Sequence, residues 1–310
     1  MTQQIAIVGA SSQIAKDLIL SFASHGRTGL LLYVRDVDTM NAWLLASGLT
    51  SVGDVHAYEG YGEQAHDAVL NFVGVGDPRR AAAMGASIFE VTQRFDDLVL
   101  AELARHRDRR YIFLSSGAVY GNAFDEPVAT QTQARIPINA ITAQDYYTTA
   151  KLHAEVRHRA MPDHAIVDLR VFNYFSRTQD VNARFFITDI ARAVRTGEVL
   201  RTSADFMVRD YLHPADFHRL VTCVLDADPA NCAVDCYTRA PVDKPTLLQA
   251  MHQHFGLRYE IAPTAVATAL NATGAKPHYY SLNRVASRFG YAPALSSLDG
   301  VLEEMAALLA

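Results

Sequence analysis

The stretch QIAIVGASSQIAKDLILSFASHG, residues 4–26, joins a short apolar run, a tight turn and an amphipathic segment. Residues 4–8 form a β-like run that meets Gly9. Apolar side chains then recur every four positions, at Ile14, Leu18 and Phe22, and Gly26 follows. The stretch therefore predicts a strand, a tight turn and a helix, which is the first unit of a parallel α/β sheet.

Further apolar runs predict strands that are buried on both faces, at 29–34, 68–73, 111–116 and 165–172. Helical patterns separate them, at about 38–47, 79–106 and 144–160. This alternation predicts a Rossmann-type doubly wound parallel sheet of the α/β class.

After Phe175 helical patterns dominate, at 183–197, 214–227, 244–256, 281–290 and 296–310. We expect an NAD(P)-binding domain at 1–175 and a smaller, mostly helical substrate lobe at 176–310, with some exchange of strands or helices between them. A ligand would sit between the lobes, at the carboxyl ends of the strands.

The composition excludes several classes of function. A formal charge of −5 and scattered basic residues argue against nucleic-acid binding, and the cluster RHRDRR at 105–110 is typical of a solvated helix end. Three cysteines, the last two spaced C-x3-C, suggest neither a disulfide framework nor a metal site. Since no apolar run approaches the ~20 residues that span a bilayer, we expect a cytoplasmic enzyme or binding protein.

The first turn is a candidate phosphate site. Gly9, Ser12 and Ala15 stand at the spacing of a G-x-x-G-x-x-G turn between strand and helix, where small residues let a pyrophosphate approach the helix N-terminus. The candidate cofactor residues are Gly9, Ser11, Ser12, Gln13 and Ile14. The alternative is a plain turn that Ser11 or Ser12 caps.

The ends of the next strands carry further cofactor candidates. Arg35 and Asp36 follow the second strand, where an arginine would pair with the 2′-phosphate of NADP and an acid would bind the free ribose of NAD. Arg35 comes first, so NADP is preferred and NAD is the alternative. The alternative to a cofactor role for these two residues is a surface ion pair at the end of the strand. Phe72, Val73 and Gly74 end a later strand where the backbone could pass close to the cofactor.

A tyrosine, a lysine and a serine suggest proton transfer to or from a carbonyl oxygen. Tyr147 and Lys151 are four residues apart and therefore neighbours on a helix, whereas Tyr146 is five from Lys151. A nearby lysine would lower the pKa of the tyrosine, and a serine would hold the oxygen. Ser115 and Ser116 end the preceding strand, and alternation lets only one of them face the site.

Taken together, these motifs resemble the extended short-chain dehydrogenase/reductase family, in its nucleotide-sugar epimerase/dehydratase branch. The similar segments are SSGAVYG at 115–121, YTTAK at 147–151, LRVFNYF at 169–175 and RDYLHPADF at 209–217. The resemblance implies that Ser116, Tyr147 and Lys151 are catalytic, with Ser115, Tyr147 and Lys151 also at the cofactor. It further implies that Asn173 contacts a nucleotide-sugar substrate and that Arg209 binds its diphosphate. The alternatives are a strand-end cap for Asn173 and an ion pair with Asp210 for Arg209.

Two departures from the family pattern bear on the reaction. Thr92 stands where the family usually has an asparagine that supports the proton relay. Gly117 and Ala118 stand where related dehydratases have Asp and Glu, which disfavours 4,6-dehydration.

Three functions remain open. We expect a 4-ketoreductase of a 4-keto-6-deoxy sugar nucleotide, because Arg35 favours NADPH; the alternative is a 4-epimerase with tightly bound NAD, and a remote one is a non-catalytic NAD(P)-binding regulator. By analogy with the family, we also expect a homodimer formed through the helices at 79–106 and 144–160.

Overall fold

The computed structural model describes residues 3–75, 81, 83–262 and 276–310. The strands are β1 Ile5–Val8, β2 Leu30–Val34, β3 Gly53–Ala57, β4 Ala68–Asn71, β5 Arg110–Ser116, β6 Ala165–Val171, β7 Asn173–Tyr174, β8 Val199–Ser203, β9 Val208–Arg209, β10 Tyr211–Leu212, β11 Cys232–Asp235, β12 Val242–Asp243, β13 Arg258–Ala262 and β14 His278–Tyr279. The helices are α1 Gln13–Ser24, α2 Val37–Ala46, α3 Ser87–Arg105, α4 Ala143–Arg159, α5 Phe186–Thr196, α6 Pro214–Asp226, α7 Lys244–Phe255 and α8 Ser297–Leu309.

Seven strands form the central sheet, in the order β3, β2, β1, β4, β5, β6, β11. All neighbouring pairs are parallel, which confirms the predicted doubly wound Rossmann-type fold. The strand order reverses between β1 and β4, where the chain leaves one half of the sheet for the other. A crevice at the carboxyl ends of these two strands is where such sheets bind ligands.

Both faces of the sheet are covered, which explains the continuous apolar runs. Ile5 and Ile7 of β1 belong to one buried cluster, together with residues of α1, α2 and α6. Ala6 and Val8 face the opposite way, into a cluster with residues of α3 and α4. Alternate residues of one strand therefore serve two separate cores.

The second half of the chain contributes both to the central sheet and to a separate core. Helix α6 packs on the sheet beside α1, and β11 pairs in parallel with β6 at the edge of the sheet. A separate core is formed by α5, α7 and α8. The domain boundary at 175 remains a prediction. Helix α6 and strand β11 lie after that residue but belong to the central sheet and the helices that cover it.

Three details differ from the sequence prediction. Strand β3 was not predicted, and neither was any strand after β6. The pattern at 281–290 was wrong as a helix: the structure has only a short 3-10 turn at Val285–Phe289, because Leu282 instead bonds the backbone of Val128. Within the segment predicted at 79–106, helix α3 occupies Ser87–Arg105, while residues 79, 80 and 82 lie outside the described residues.

Candidate active site

The first turn brings the backbone of β1 close to that of β4. Gly9 has a φ of +82°, and a Cβ there would lie 2.8 Å from the amide nitrogen of Val73. Glycine is therefore required for both conformation and space. Ser12 caps α1, since its Oγ accepts a hydrogen bond from the Ala15 amide at 3.4 Å. The other predicted cofactor residues of this turn are Ser11, Gln13 and Ile14.

Arg35 and Asp36 follow β2 on the exposed surface. Asp36 caps α2, and its carboxylate accepts from the Thr39 amide at 2.9 Å and the Thr39 hydroxyl at 2.7 Å. These bonds lower the pKa of Asp36, the backbone bond contributing most. The carboxylate is thus an ionised helix cap, and its predicted contact with a ribose stays a prediction.

The end of β4 forms the second wall of the crevice. Phe72 is buried, and the amide of Val73 donates to Asn71 Oδ1 at 3.0 Å. A Cβ on Gly74 would lie 3.3 Å from the Nζ atom of Lys151. The cofactor candidates after β4 are therefore directly next to the predicted catalytic lysine.

Lys151 lies on α4 with its ammonium group at the base of the site. Its Nζ donates to the carbonyl of Leu114 at 2.7 Å and lies 4.2 Å from the centroid of the Phe113 ring. Burial lowers the pKa of Lys151 to about 8, against the opposing effect of buried carboxylates.

Ser115 and Ser116 end β5, and their hydroxyl groups have different hydrogen-bond partners. Ser116 Oγ accepts a hydrogen bond from the Ala118 amide at 3.1 Å and lies 3.4 Å from the hydroxyl oxygen of Tyr279. Ser115 Oγ donates to the Glu155 carboxylate at 2.5 Å. Ser116 is thus the serine that faces the site. The hydroxyl of Ser115 donates a hydrogen bond to Glu155, and its contact with the cofactor stays a prediction.

Tyr147 is partly buried, and its phenol lies near the hydroxyl of Ser116. Burial raises the pKa of Tyr147, although the Ser116 hydroxyl acts in the opposite direction. Lys151 does not contribute to this shift, because its ammonium group is bound to the carbonyl of Leu114; its effect on the phenol during a reaction stays a prediction. Tyr146 is directed elsewhere, with its ring 5.5 Å from that of Phe89.

Asn173 and Arg209, the predicted substrate residues, both bond the backbone of the segment 276–279. Asn173 Nδ2 donates to the carbonyl oxygens of Tyr279 at 3.2 Å and Asp210 at 3.4 Å. Arg209 Nη1 donates to the carbonyl of Lys276 at 2.7 Å. Asp210 is hydrogen-bonded to Thr238 instead, so the ion pair between Arg209 and Asp210 is not formed.

Two residues of this site, Tyr279 and Lys276, were missed by sequence reasoning. Lys276 Nζ lies 4.7 Å from the centroid of the Tyr279 ring and 5.2 Å from that of Phe124. Burial lowers the pKa of Lys276 to about 8, and Arg209 adds to the effect. The lysine and two tyrosines in KPHYY at 276–280 were the available signal.

The position after Ser116 has no room for a side chain. A Cβ on Gly117 would lie 2.4 Å from Cδ1 of Phe172, and Phe172 and Ala118 are both buried. Thr92 is buried on α3. The carboxylates of a dehydration site would stand at 117 and 118. The sequence has none there, and the ring of Phe172 fills the space that a side chain at 117 would need.

A doubly wound sheet whose crevice meets a serine, a tyrosine and a lysine defines a nicotinamide-dependent short-chain oxidoreductase. The model of the NAD dependent epimerase/dehydratase family matches residues 5–234, and the chain belongs to that family. Comparison with curated protein sequences gives no match.

Several solved structures share the fold. A UDP-glucose 4-epimerase from Bifidobacterium longum, in complex with NAD+ and UDP, has a TM-score of 0.77 at 18% identity, covering 98% of this chain and 97% of its own. A UDP-glucose 4-epimerase from Stenotrophomonas maltophila gives 0.78 at 17%, covering 99% and 98%. A dTDP-glucose 4,6-dehydratase from Bacillus anthracis gives 0.78 at 14%, covering 99% and 96%. Among the described helices none is both long and apolar enough to span a membrane.

Proposed function

We propose that this chain is an NAD-dependent 4-epimerase of a nucleotide-activated sugar. The observation that carries the proposal is the group formed by Ser116, Tyr147 and Lys151, which lies against Gly74 at the cofactor crevice. Several structurally similar proteins are UDP-sugar 4-epimerases with NAD, which favours epimerisation over the 4-ketoreductase expected from the sequence.

In the proposed reaction, the protein's own groups hold and deprotonate one hydroxyl of the sugar. NAD, when bound, supplies the acceptor and then the donor of a hydride. Ser116 Oγ binds the oxygen at the reacting carbon, and the ionised phenol of Tyr147 takes its proton and later returns it. Because burial raises the pKa of that phenol, the ammonium group of Lys151 must support the ionised form during reaction.

The diphosphate is assigned to Arg209. Its guanidinium is partly buried and donates to the carbonyl oxygens of Val208 and Lys276, and among the described residues no carboxylate forms a salt bridge with it. A partly buried cation without a carboxylate partner favours an anionic ligand. Asn173 is assigned to the sugar nucleotide, because it bonds the carbonyl of Tyr279, the residue that pairs with Arg209.

Dehydration is disfavoured by chemistry and by space. Elimination of water needs an acid and a base beside the sugar. Gly117 and Ala118 have no carboxyl group, and Phe172 fills the space beside Gly117.

A second candidate is the 4-ketoreductase, which a specific observation favours. Arg35 is exposed at the end of β2, where its guanidinium can pair with the 2′-phosphate of NADP. Retention of NADP, with net oxidation of NADPH by 4-keto sugar nucleotides, would favour this reading. Retained cofactor without turnover would favour the remote alternative, a regulator.

We also propose a cytoplasmic homodimer that associates through α3 and α4. Val156, on α4, is 59% exposed although it is a large apolar residue, and such residues at a surface favour an interface. Light scattering of the wild type and of Val156→Asp would test the assembly, and a monomeric wild type would contradict it.

The activity is tested by purifying the chain and identifying the nucleotide that it retains. UDP-glucose and UDP-galactose are then each incubated with the protein, and their interconversion is followed by NMR while absorbance at 340 nm reports net reduction of the cofactor. Interconversion without net reduction supports the epimerase. Tyr147→Phe should abolish interconversion and keep the cofactor, whereas the matched control Tyr146→Phe should remain active; the reverse result would contradict the assignment.

A further inference from the structure

A second phenol reaches the catalytic serine from a distant part of the chain. The hydroxyl oxygen of Tyr279 lies 3.4 Å from Ser116 Oγ, and the phenol of Tyr147 lies near the same serine. Three hydroxyl groups therefore meet where the reacting oxygen would lie. Neither the family motifs nor the roles proposed above account for the third.

The position of Tyr279 is fixed by its backbone. Strand β14 pairs with β9, with Tyr279 opposite Arg209. Asn173 Nδ2 donates to the Tyr279 carbonyl at 3.2 Å, and the next residue, Tyr280, accepts from the Val128 amide at 3.0 Å. The phenol thus stands on a segment that is bonded to the chain following Ser116, as a group with a preorganised role would.

The ring of Tyr279 is held by aromatic side chains and approached by cations. Its centroid lies 4.8 Å from that of Phe124 and 5.3 Å from that of Phe172. Arg209 and Lys276 lie 5.8 Å and 4.7 Å from the same ring. One end of Tyr279 therefore points to the catalytic serine, while the cations that suit the anionic part of a substrate lie around its ring.

We propose that Tyr279 is a further catalytic residue, whose phenol donates a hydrogen bond to the substrate oxygen at the reacting carbon while Tyr147 transfers the proton. The inference rests on the proposed function and adds a residue to it. Tyr279 gains and loses no proton, so the proton balance stays with Tyr147. Burial raises the pKa of Tyr279, which keeps the phenol protonated and able to donate.

The test compares Tyr279→Phe with the matched control Tyr280→Phe. The ring of Tyr280 lies 6.1 Å from that of His278, whereas the ring of Tyr279 packs against Phe124 and Phe172. Removing a donor from a developing oxyanion costs about 100-fold in kcat, so Tyr279→Phe should lose about that factor with KM close to the wild-type value, while Tyr280→Phe should stay close to wild type. With UDP-glucose deuterated at carbon 4, the isotope effect on kcat should increase in Tyr279→Phe, because hydride transfer becomes slower than the other steps.

The variant Phe124→Leu distinguishes a catalytic role of Tyr279 from a merely structural one, because it loosens the aromatic contacts of Tyr279 but keeps the Tyr279 hydroxyl. Equal losses of kcat in Phe124→Leu and Tyr279→Phe, without a change in the isotope effect, would overturn the inference. So would a Tyr279→Phe variant that matches Tyr280→Phe, or one that changes KM alone. A wild type that epimerises no sugar nucleotide would contradict the proposed function and this role together, whereas an active wild type beside an unimpaired Tyr279→Phe would contradict this role alone.

Discussion

Replacing Gly117 with alanine adds one methyl group at the most crowded point beside the catalytic serine. The new Cβ would lie 2.4, 2.5 and 2.7 Å from three ring carbons of Phe172. Nonbonded carbon atoms approach to about 3.5–4.0 Å, so the ring must move by about 1 Å. Phe172 is 7% exposed and packs against Tyr120, Phe124 and Tyr279, which leaves little room for that movement.

Two effects follow from the displaced ring. Overpacking of a buried site costs about 1–3 kcal/mol of unfolding free energy, and each kcal/mol lowers Tm by about 2–4 °C in a large domain. Because Phe172 contacts Tyr279, the Tyr279 hydroxyl would also move away from Ser116. A misplacement of about 1 Å can lower kcat by about 100-fold, so the loss of activity should exceed what the lower stability explains.

Thermal unfolding by circular dichroism and the rate of sugar interconversion measure these effects separately. Gly60→Ala is the matched control. Gly60 is partly exposed, the nearest contact of the new Cβ would be the flexible Glu63 side chain at 3.5 Å, and such a change near the surface costs within about 0.5 kcal/mol. Phe172→Leu should relieve the clash, so that the double variant with Gly117→Ala is less destabilised than the two single effects added together. An unchanged Tm and kcat in Gly117→Ala, or strictly additive effects, would refute the reasoning.

Three further predictions concern charged groups. His158 is fully buried between Asp168 and Asp96, at 2.6 and 2.8 Å. Although burial opposes it, these carboxylates raise the pKa of His158 from 6.5 to about 9. Up to about 3 kcal/mol of stability should therefore be present below pH 6.5 and be lost as the pH rises through 9, and equal urea midpoints at pH 6 and 9.5 would contradict this. Because burial lowers the pKa of Lys151 to about 8, affinity for NAD in a fluorescence titration should fall above pH 8, and Lys151→Met should remove that dependence; a wild-type affinity that is flat from pH 7 to 9 would disprove it. Arg209→Met should weaken UDP binding by about 10- to 100-fold in calorimetry, and an unchanged Kd would exclude Arg209 from the diphosphate site.

Strands that are buried on both faces could be predicted, because their sequences are almost entirely apolar. Strand β3 could not, since it lies at the edge of the sheet and its sequence GDVHA is only partly buried. Strand β11 reads CAVD and lies in the helical second half. Its pairing with β6 depends on contacts between distant parts of the chain, which a local pattern does not contain.

The site shows the same division between local and distant information. The spacing of Tyr147 and Lys151 follows from helix geometry, and the choice between Tyr146 and Tyr147 could be made from the sequence. The direction of the Lys151 ammonium group toward the Leu114 carbonyl depends on packing between a helix and a strand. Tyr279 reaches Ser116 only because β14 pairs with β9, and no local spacing predicts that pairing.

The late position of β11 has a consequence for synthesis on the ribosome. Until Cys232–Asp235 has emerged, the outer edge of β6 has no neighbouring strand in the native sheet. The helix that covers one face of the sheet beside α1, Pro214–Asp226, precedes that strand by only a few residues and therefore emerges only shortly before it. An unpaired strand edge is prone to association with other chains. Nascent chains that end shortly after the catalytic motifs should therefore need chaperones, and the first lobe should become independent of them only when the sheet has gained its seventh strand.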